Sequence, residues 1–247
     1  MKVTKALIFC TLLFFRYPLL AQKKNEIAVE SRFLQLKDAL NQGMVYGGPH
    51  IGFRYRRNIA FETWELRYEP RMAVGVLFNR GMIAANFQVS PIDFSGLVPV
   101  FRSEKAAVRA GLHFAANYCY QLYPNQMGAH LFWSSEIGFS PCAEYDYRWK
   151  NRKITLFLQN SVAGFVSHTQ EIPPYFYSLT LADFVVQPHC TMQFGSFNTY
   201  NHTNLTVSFT PNVSTHHSFA LGAEYFNIYA GKRFQSLTYS VQWKKSF

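Results

Sequence analysis

The sequence predicts an all-β fold: an antiparallel, up-and-down transmembrane β-barrel of about twelve strands after a cleaved signal peptide. Apolar and polar residues alternate along most of the chain, which is the period of a β-strand. No apolar run after residue 21 approaches the roughly 20 residues that a membrane helix needs. Aromatic residues make up 17% of the chain and charged residues only 15%, which favours strands with aromatic girdles over an average soluble enzyme.

The first 21 residues have the composition of a secretory signal peptide. Lys2 and Lys5 precede an apolar run that covers residues 6–20, and Ala21 supplies the small residue of a cleavage site. Removal of this segment, which also contains Arg16, lowers the formal net charge from +10 to +7. We therefore expect residues 1–21 to be cut away, residues 22–30 to form a short periplasmic arm, and residues 31–247 to form the barrel.

The last stretch, residues 234–247, carries the clearest alternation. Its apolar face presents Leu237, Tyr239, Val241, Trp243 and the final Phe247, while the intervening positions are polar. This stretch resembles the closing strand of bacterial outer-membrane β-barrels, which commonly ends on an aromatic residue recognised by the barrel-assembly machinery. The resemblance implies an outer-membrane location and names that machinery as a partner.

The same alternation assigns the residues of the other strands to the lipid side or to the lumen side of the wall. Turns are predicted at residues 57–58, 79–81 and 91–93, with longer connections at 123–128 and 167–174. Counting the alternating segments gives about twelve strands, since single-chain bacterial barrels take an even number. The positions expected to face lipid are Trp64, Leu66, Leu112, Phe114, Leu131, Trp133, Val207 and Val241. Those expected to face the lumen are Glu65, Arg67, Arg109, His113, His130, Thr206 and Gln242.

Charged side chains collect on one face of several predicted strands. A charge facing lipid near the membrane midplane costs about 2–4 kcal/mol, so these residues are expected to line the interior. We interpret them as cross-strand ion pairs that fill the lumen, with a solute-conducting lumen as the alternative. The set comprises Arg54, Glu65, Arg67, Glu69, Arg71, Arg109, Glu144, Asp146 and Arg148.

Candidate catalytic residues are few, because the sequence contains no nucleophile elbow, zinc-protease motif, phosphate-binding loop or dinucleotide fingerprint. His130, Ser134 and Glu136 share the inward face of one strand, and His202 lies on the inward face of a later one. These residue types resemble the ingredients of outer-membrane phospholipases and lipid A deacylases, in which an imidazole activates a serine or a water. The alternative is that they are polar groups that pack the lumen.

No metal or cofactor site is predicted. Cys119, Cys142 and Cys190 remain after cleavage, and their spacing matches neither a disulfide framework nor a metal site. An exported basic chain is expected to meet outer-membrane lipids and lipopolysaccharide phosphates rather than nucleic acid. The leading interpretation is a non-enzymatic barrel with a filled lumen and a structural or surface-binding role. A lipid hydrolase and a small-solute channel are the alternatives.

Overall fold

The computed structural model describes residues 22–40, 43–124, 129–161, 163–169, 175–212, 214, 216–230 and 232–247. The signal peptide predicted for residues 1–21 lies outside these ranges. The strands are β1 (Gln22–Asp38), β2 (Val45–Ala60), β3 (Glu65–Tyr68), β4 (Arg71–Asn79), β5 (Met82–Arg102), β6 (Ala106–Tyr123), β7 (His130–Trp149), β8 (Arg152–Asn160), β9 (Ala163–His168), β10 (Gln193–Ser196), β11 (Tyr200–Thr210), β12 (His217–Ala230) and β13 (Lys232–Ser246). A short 3-10 turn (Phe176–Ser178) and the helix α1 (Asp183–Cys190) lie between β9 and β10.

The sheet closes on itself, which confirms the predicted antiparallel barrel. Strand β1 pairs with β2 on one side and with β13 on the other, so that Val29 lies opposite both Phe53 and Trp243. Every other strand pair is also antiparallel, and sequence neighbours are paired around the wall. Closure pairs the long strands on both sides, which is what a membrane-spanning sheet requires, and among the described strands only the four-residue β10 is paired on one side alone.

The thirteen described strands agree with the prediction of about twelve, and they form ten continuous stretches of wall. Three stretches consist of two short strands that share the same neighbours: β3 with β4, β8 with β9, and β10 with β11. The longest strands, β5 and β7, run for 21 and 20 residues. The break expected at residues 91–93 is a register shift between Val89 and Ile92 that β5 absorbs as a bulge.

Two predicted boundaries near the amino terminus were wrong. Residues 22–30 are the first half of β1 rather than an arm, because their alternation continues the strand: Ile27 and Val29 are exposed while Ala28 and Glu30 are buried. Strand β2 continues past the expected turn at residues 57–58 to Ala60. The chain then reverses at residues 61–64. The predicted turn at 79–81 is present, and Arg80 (φ 41°) and Gly81 (φ 87°) adopt the left-handed conformations of a tight hairpin turn.

The barrel has two unlike rims. The terminal rim contains Gln22, Phe247 and the connections at residues 61–64, 103–105 and 150–151. The loop rim contains the hairpin turn at residues 80–81 and the ends of β6 and β9, and the described residues 175–192 between β9 and β10 include helix α1. The longer connections predicted at residues 123–128 and 167–174 lie mostly outside the described residues, and their first residues are the ends of β6 and β9.

An apolar surface surrounds the outside of the wall. Among the described residues, no helix has the length and apolar character to cross a bilayer. Each wall strand contributes at least one large apolar side chain that is 37–66% exposed. One from each is Phe33, Phe53, Val76, Phe87, Leu112, Phe139, Leu156, Val207, Leu221 and Val241. The predicted lipid-facing positions Leu112, Val207 and Val241 are therefore confirmed, and Leu66 and Phe114 are partly buried. Trp64 is exposed, but it lies in the connection at residues 61–64, where its ring stacks on that of Phe61.

Leu131 and Trp133 differ from the expectation, since both are buried. They are paired with Leu122 and Tyr120 of β6. Trp133 donates its indole N–H to Ser167 Oγ at 3.3 Å, and its backbone N–H donates to Thr169 Oγ1 at 2.8 Å. Helix α1 contacts the same part of the wall, because the Tyr120 hydroxyl donates to the Phe184 carbonyl at 2.5 Å.

Inside the barrel, the end near the loop rim is filled by an apolar plug. Its rings pack edge to face: the centroids of Tyr46 and Tyr123 are 5.2 Å apart, and those of Tyr123 and Phe132 are 5.1 Å apart. Every member is at most 3% exposed. The apolar plug consists of Leu34, Leu36, Tyr46, Leu77, Ala84, Tyr123, Phe132 and Phe234.

Candidate functional site in the lumen

The charged residues predicted to face the lumen do so, and most of them form ion pairs across it. Nearest the terminal rim, Arg67 Nε donates to Glu65 at 2.8 Å, and Arg67 Nη2 donates to Glu144 at 2.9 Å. Arg109 contacts Glu65 at 2.6 Å and Asp146 at 2.5 Å, and it also pairs with Glu144. Two arginines therefore share three carboxylates that come from β3 and β7, and Lys153, 3.1 Å from Asp146, supplies the third positive charge.

A second group of pairs lies on the side of the lumen formed by β1 and β2. Arg54 contacts Glu30 at 2.7 Å and also pairs with Glu69. Arg56 shares Glu69 and lies 3.6 Å from Glu26. Glu26 and Glu30 were missed by sequence reasoning because residues 22–30 looked like a polar arm. Their alternation with Ile27 and Val29 was the signal that could have found them.

The third group is centred on a histidine. His202 Nδ1 lies 2.5 Å from Glu136 Oε1, and His202 Nε2 lies 2.9 Å from Glu224 Oε1. Glu224 also accepts from Arg71 at 2.9 Å and from Arg32 at 3.2 Å. We call these five residues the histidine cluster. Its members Arg32 and Glu224 were also missed, although both lie on the inward face set by the period of their strands.

Arg148 is the exception among the predicted lumen charges. It is exposed at the terminal rim, and no carboxylate of the described residues lies within ion-pair distance of it. Its backbone N–H donates to the Lys105 carbonyl at 2.7 Å, close to the end of β7. At Arg148, strand β7 extends beyond the carboxylates that pair with the other arginines. The Arg148 side chain therefore lines the opening of the lumen.

The four candidate catalytic residues are only partly brought together. Glu136 and His202 are in contact, whereas His130 lies at the loop rim with its ring centroid 4.6 Å from that of Tyr175. Ser134 is 1% exposed, and its hydroxyl makes no hydrogen bond to either histidine in the described part of the chain. Ser134, Glu136 and His202 instead line a cavity of about 60 Å³ beside the apolar plug.

The geometry of His202 determines what the cluster can do chemically. Both imidazole nitrogens face a carboxylate oxygen, and a nitrogen in that position must carry a proton to make the hydrogen bond. An imidazolium with two carboxylate partners has no free lone pair with which to accept a proton from a hydroxyl or a water. The arrangement is suited to holding β7, β11 and β12 together across the lumen.

The other side chains that could bind a metal or act as nucleophiles are dispersed. Within the described residues, no three His, Cys, Asp or Glu side chains are arranged to hold a metal ion. Cys119, Cys142 and Cys190 are all free thiols. His113 lies 2.9 Å from Asp93, and His50 Nε2 lies 2.9 Å from Asn86, so these inward histidines have polar partners of their own.

Comparison with known proteins gives structural similarities only. No protein-family model matches the chain, and no curated protein matches its sequence. The outer membrane protease OmpT from Escherichia coli is 10% identical, with a TM-score of 0.48 over 94% of this chain and 99% of that one. An outer membrane channel from Pseudomonas putida F1 is 6% identical, with a TM-score of 0.42 over 94% and 98%. The translocator domain of the autotransporter NalP from Neisseria meningitidis is 4% identical, with a TM-score of 0.43 over 98% and 94%.

A closed antiparallel barrel with an apolar exterior and a polar, ion-paired interior is a membrane-spanning structure, because only helices and closed barrels satisfy the backbone in lipid. The fold is that of a bacterial outer-membrane β-barrel. The carboxy-terminal strand that suggested this class is β13, and Phe247 exchanges two backbone hydrogen bonds with Asn25, at 3.1 and 2.9 Å, at the closing seam.

Proposed function

We propose that the protein is a non-enzymatic outer-membrane barrel with a closed lumen, acting as a structural or surface-binding component of the membrane. The observation that carries this proposal is the apolar plug, whose eight side chains are at most 3% exposed. An ion that crossed this layer would lose its water without gaining a polar partner, and that loss costs several kcal/mol or more. The proposal therefore favours a closed barrel over a solute channel.

The polar part of the lumen supports the same conclusion. Behind the apolar plug, the histidine cluster and the arginine–carboxylate groups occupy the interior with side chains that already have partners. A small barrel is commonly filled in this way by its own residues. Both nitrogens of His202 face carboxylates, and the Ser134 hydroxyl makes no hydrogen bond to this histidine, so the described residues contain no assembled pair of nucleophile and base.

The orientation follows from the lengths of the connections, because outer-membrane barrels have short periplasmic turns and longer external loops. The loop rim, with residues 175–192, is then external, and the terminal rim is periplasmic. In this orientation, the surface-binding role belongs to the loop rim and its neighbouring lipopolysaccharide. Phe247 is 62% exposed on the periplasmic side, where the barrel-assembly machinery would meet it.

Conductance in a planar lipid bilayer tests the proposal. The wild-type protein is expected to give no discrete current steps with any of several salts. A variant with Tyr46, Tyr123 and Phe132 all replaced by Ala removes the rings of the apolar plug and is expected to conduct. Phe139→Ala is the matched control, since Phe139 is 59% exposed on the outside of the wall and its loss leaves the plug intact. Regular openings by the wild-type protein would overturn the proposal.

A further inference from the structure

The lumen opens at the terminal rim into a vestibule of about 450 Å³. Its wall is rich in basic side chains, which come from β1, β2, β7, β8 and β13. The basic residues include Lys24, Arg56, Arg148, Lys153 and Lys244, and the acidic ones are Glu26, Glu65 and Glu144. A concavity of this volume is within the range of small-molecule sites.

The three carboxylates of the vestibule already have arginine partners. Glu65 and Glu144 are each shared between Arg67 and Arg109. Glu26 lies 3.6 Å from Arg56 and also accepts from the Ser246 hydroxyl at 3.4 Å. These three carboxylates are therefore already paired with arginines. They do not form ion pairs with the lysines of the vestibule wall or with Arg148.

Lys244 is the most unusual of those remaining groups. The residue is 2% exposed, yet its ammonium group donates only to the neutral Ser208 hydroxyl, at 3.2 Å. Within the part of the chain that the structure describes, no carboxylate lies within ion-pair distance of Lys244 Nζ. A buried ammonium group normally has an anionic partner, because leaving water without one is costly.

Two further cations at the mouth of the vestibule are also uncompensated. Lys24 and Arg148 are exposed, and neither forms an ion pair with a carboxylate of the described residues. Lys153, by contrast, lies 3.1 Å from Asp146. The vestibule is thus lined by three cations that have no carboxylate partner among the described residues: Lys244 in its interior, and Lys24 and Arg148 at its mouth.

We propose that this vestibule binds a small polyanion with phosphate-type groups, which enters from the rim that carries both chain termini. Lys244 meets the innermost oxygen atoms, because it is buried and no carboxylate of the described residues lies within ion-pair distance of its ammonium group. Arg148 supplies a planar guanidinium that matches a phosphate in a bidentate manner at the mouth. This inference concerns the open end of the lumen and is independent of whether the other end conducts.

Calorimetric titration with inorganic pyrophosphate tests the site, with the protein in a neutral maltoside detergent at low salt. We expect saturable binding of one pyrophosphate per chain. Lys244→Gln and Arg148→Gln should each weaken it roughly tenfold or more, the loss expected for one charge-assisted hydrogen bond. Lys150→Gln is the matched control: Lys150 is a basic residue of the same rim that lies 5.9 Å from the outward Trp149 ring rather than in the vestibule.

Each outcome decides the proposal. Absence of saturable binding, binding unchanged in both variants, or an equal loss with Lys150→Gln would overturn it, the last because the rim would then act as a diffuse basic surface. Arg148 is exposed, so its variant remains informative if Lys244→Gln fails to fold. Repeating the titration in nanodiscs identifies the source of the phosphate group. Competition by phosphatidylglycerol, but not by phosphatidylcholine, indicates a lipid headgroup, and unchanged binding in both indicates a soluble anion.

Discussion

His202 Nδ1 lies 2.5 Å from Glu136 Oε1 in the middle of the lumen, and the contact joins two strands, β11 and β7, that are not neighbours in the wall. Both residues are 2% exposed. Removing one partner from a buried ion pair leaves the other charge buried without compensation, which typically costs about 3–5 kcal/mol. We therefore expect His202→Ala to lower the free energy of unfolding by about that amount.

Urea unfolding of the protein in lipid vesicles, followed by tryptophan fluorescence, measures this loss. His217→Ala is the control, because His217 stacks on Trp243 at the terminal rim and is exposed, so its replacement should change the free energy of unfolding by about 0.5 kcal/mol or less. Equal small effects of the two substitutions would show that the cross-lumen pair adds nothing to stability.

Lipid-facing and lumen-facing neighbours should differ in their tolerance of charge. Val241 is 57% exposed on the outside of β13, and Gln242 is 1% exposed on the inside. Val241→Lys places an ammonium group in the hydrocarbon and should cost about 2–4 kcal/mol of the free energy of unfolding if the residue is near the midplane. Gln242→Lys should cost less, because Ser240 and other polar groups surround it. Unfolding in vesicles compares the two, and a larger loss at position 242 would reverse the assigned sides.

The four tryptophans should differ in their contact with lipid. Trp64, Trp149 and Trp243 are 37–59% exposed, whereas Trp133 is 6% exposed. In variants that keep one tryptophan each, brominated lipids should quench the emission of the three exposed indoles and leave that of Trp133 largely unchanged. Strong quenching of Trp133 would mean that lipid reaches the outer wall near helix α1.

The protein should release no fatty acid from phospholipid or lipid A vesicles, because both nitrogens of His202 face carboxylates and Ser134 makes no hydrogen bond to it. A sensitive fatty-acid assay on the folded protein checks this expectation. Release that is abolished by His202→Ala or by His130→Ala would restore the lipid hydrolase hypothesis and assign the base.

The side on which a residue lies was predictable from the sequence, whereas its partner was not. A period of two is local, so Arg67, Arg109 and Glu144 could be assigned to the lumen from their own strands. That Arg67 meets Glu144, 77 residues away, depends on strand register and on closure of the barrel, which a single sequence does not encode locally. The break expected at residues 91–93 was wrong for a related reason, since the bulge at Val89 allows β5 to continue through Pro91.

The outer wall near the loop rim shows a second limit. Trp133 is buried because it donates hydrogen bonds to Ser167 and Thr169. The Ser167 hydroxyl in turn lies 2.6 Å from that of Thr191, which follows helix α1. The alternation of apolar and polar residues in β7 does not indicate that Trp133 is buried. In the same way, the pairing of Lys244 with a hydroxyl group instead of a carboxylate depends on residues of other strands. The sequence of β13 does not indicate it.

Cysteine accessibility along β13 is the most direct test of the central claim, that strand period alone separates the lipid side from the lumen side. Single cysteines at Thr238, Tyr239, Val241 and Gln242 are introduced after removal of Cys119, Cys142 and Cys190. Each is labelled in vesicles with a fluorophore and exposed to a lipid-phase quencher. The account predicts strong quenching at Tyr239 and Val241, which are 52% and 57% exposed, and weak quenching at Thr238 and Gln242, which are 5% and 1% exposed. Equal quenching at all four positions would contradict it.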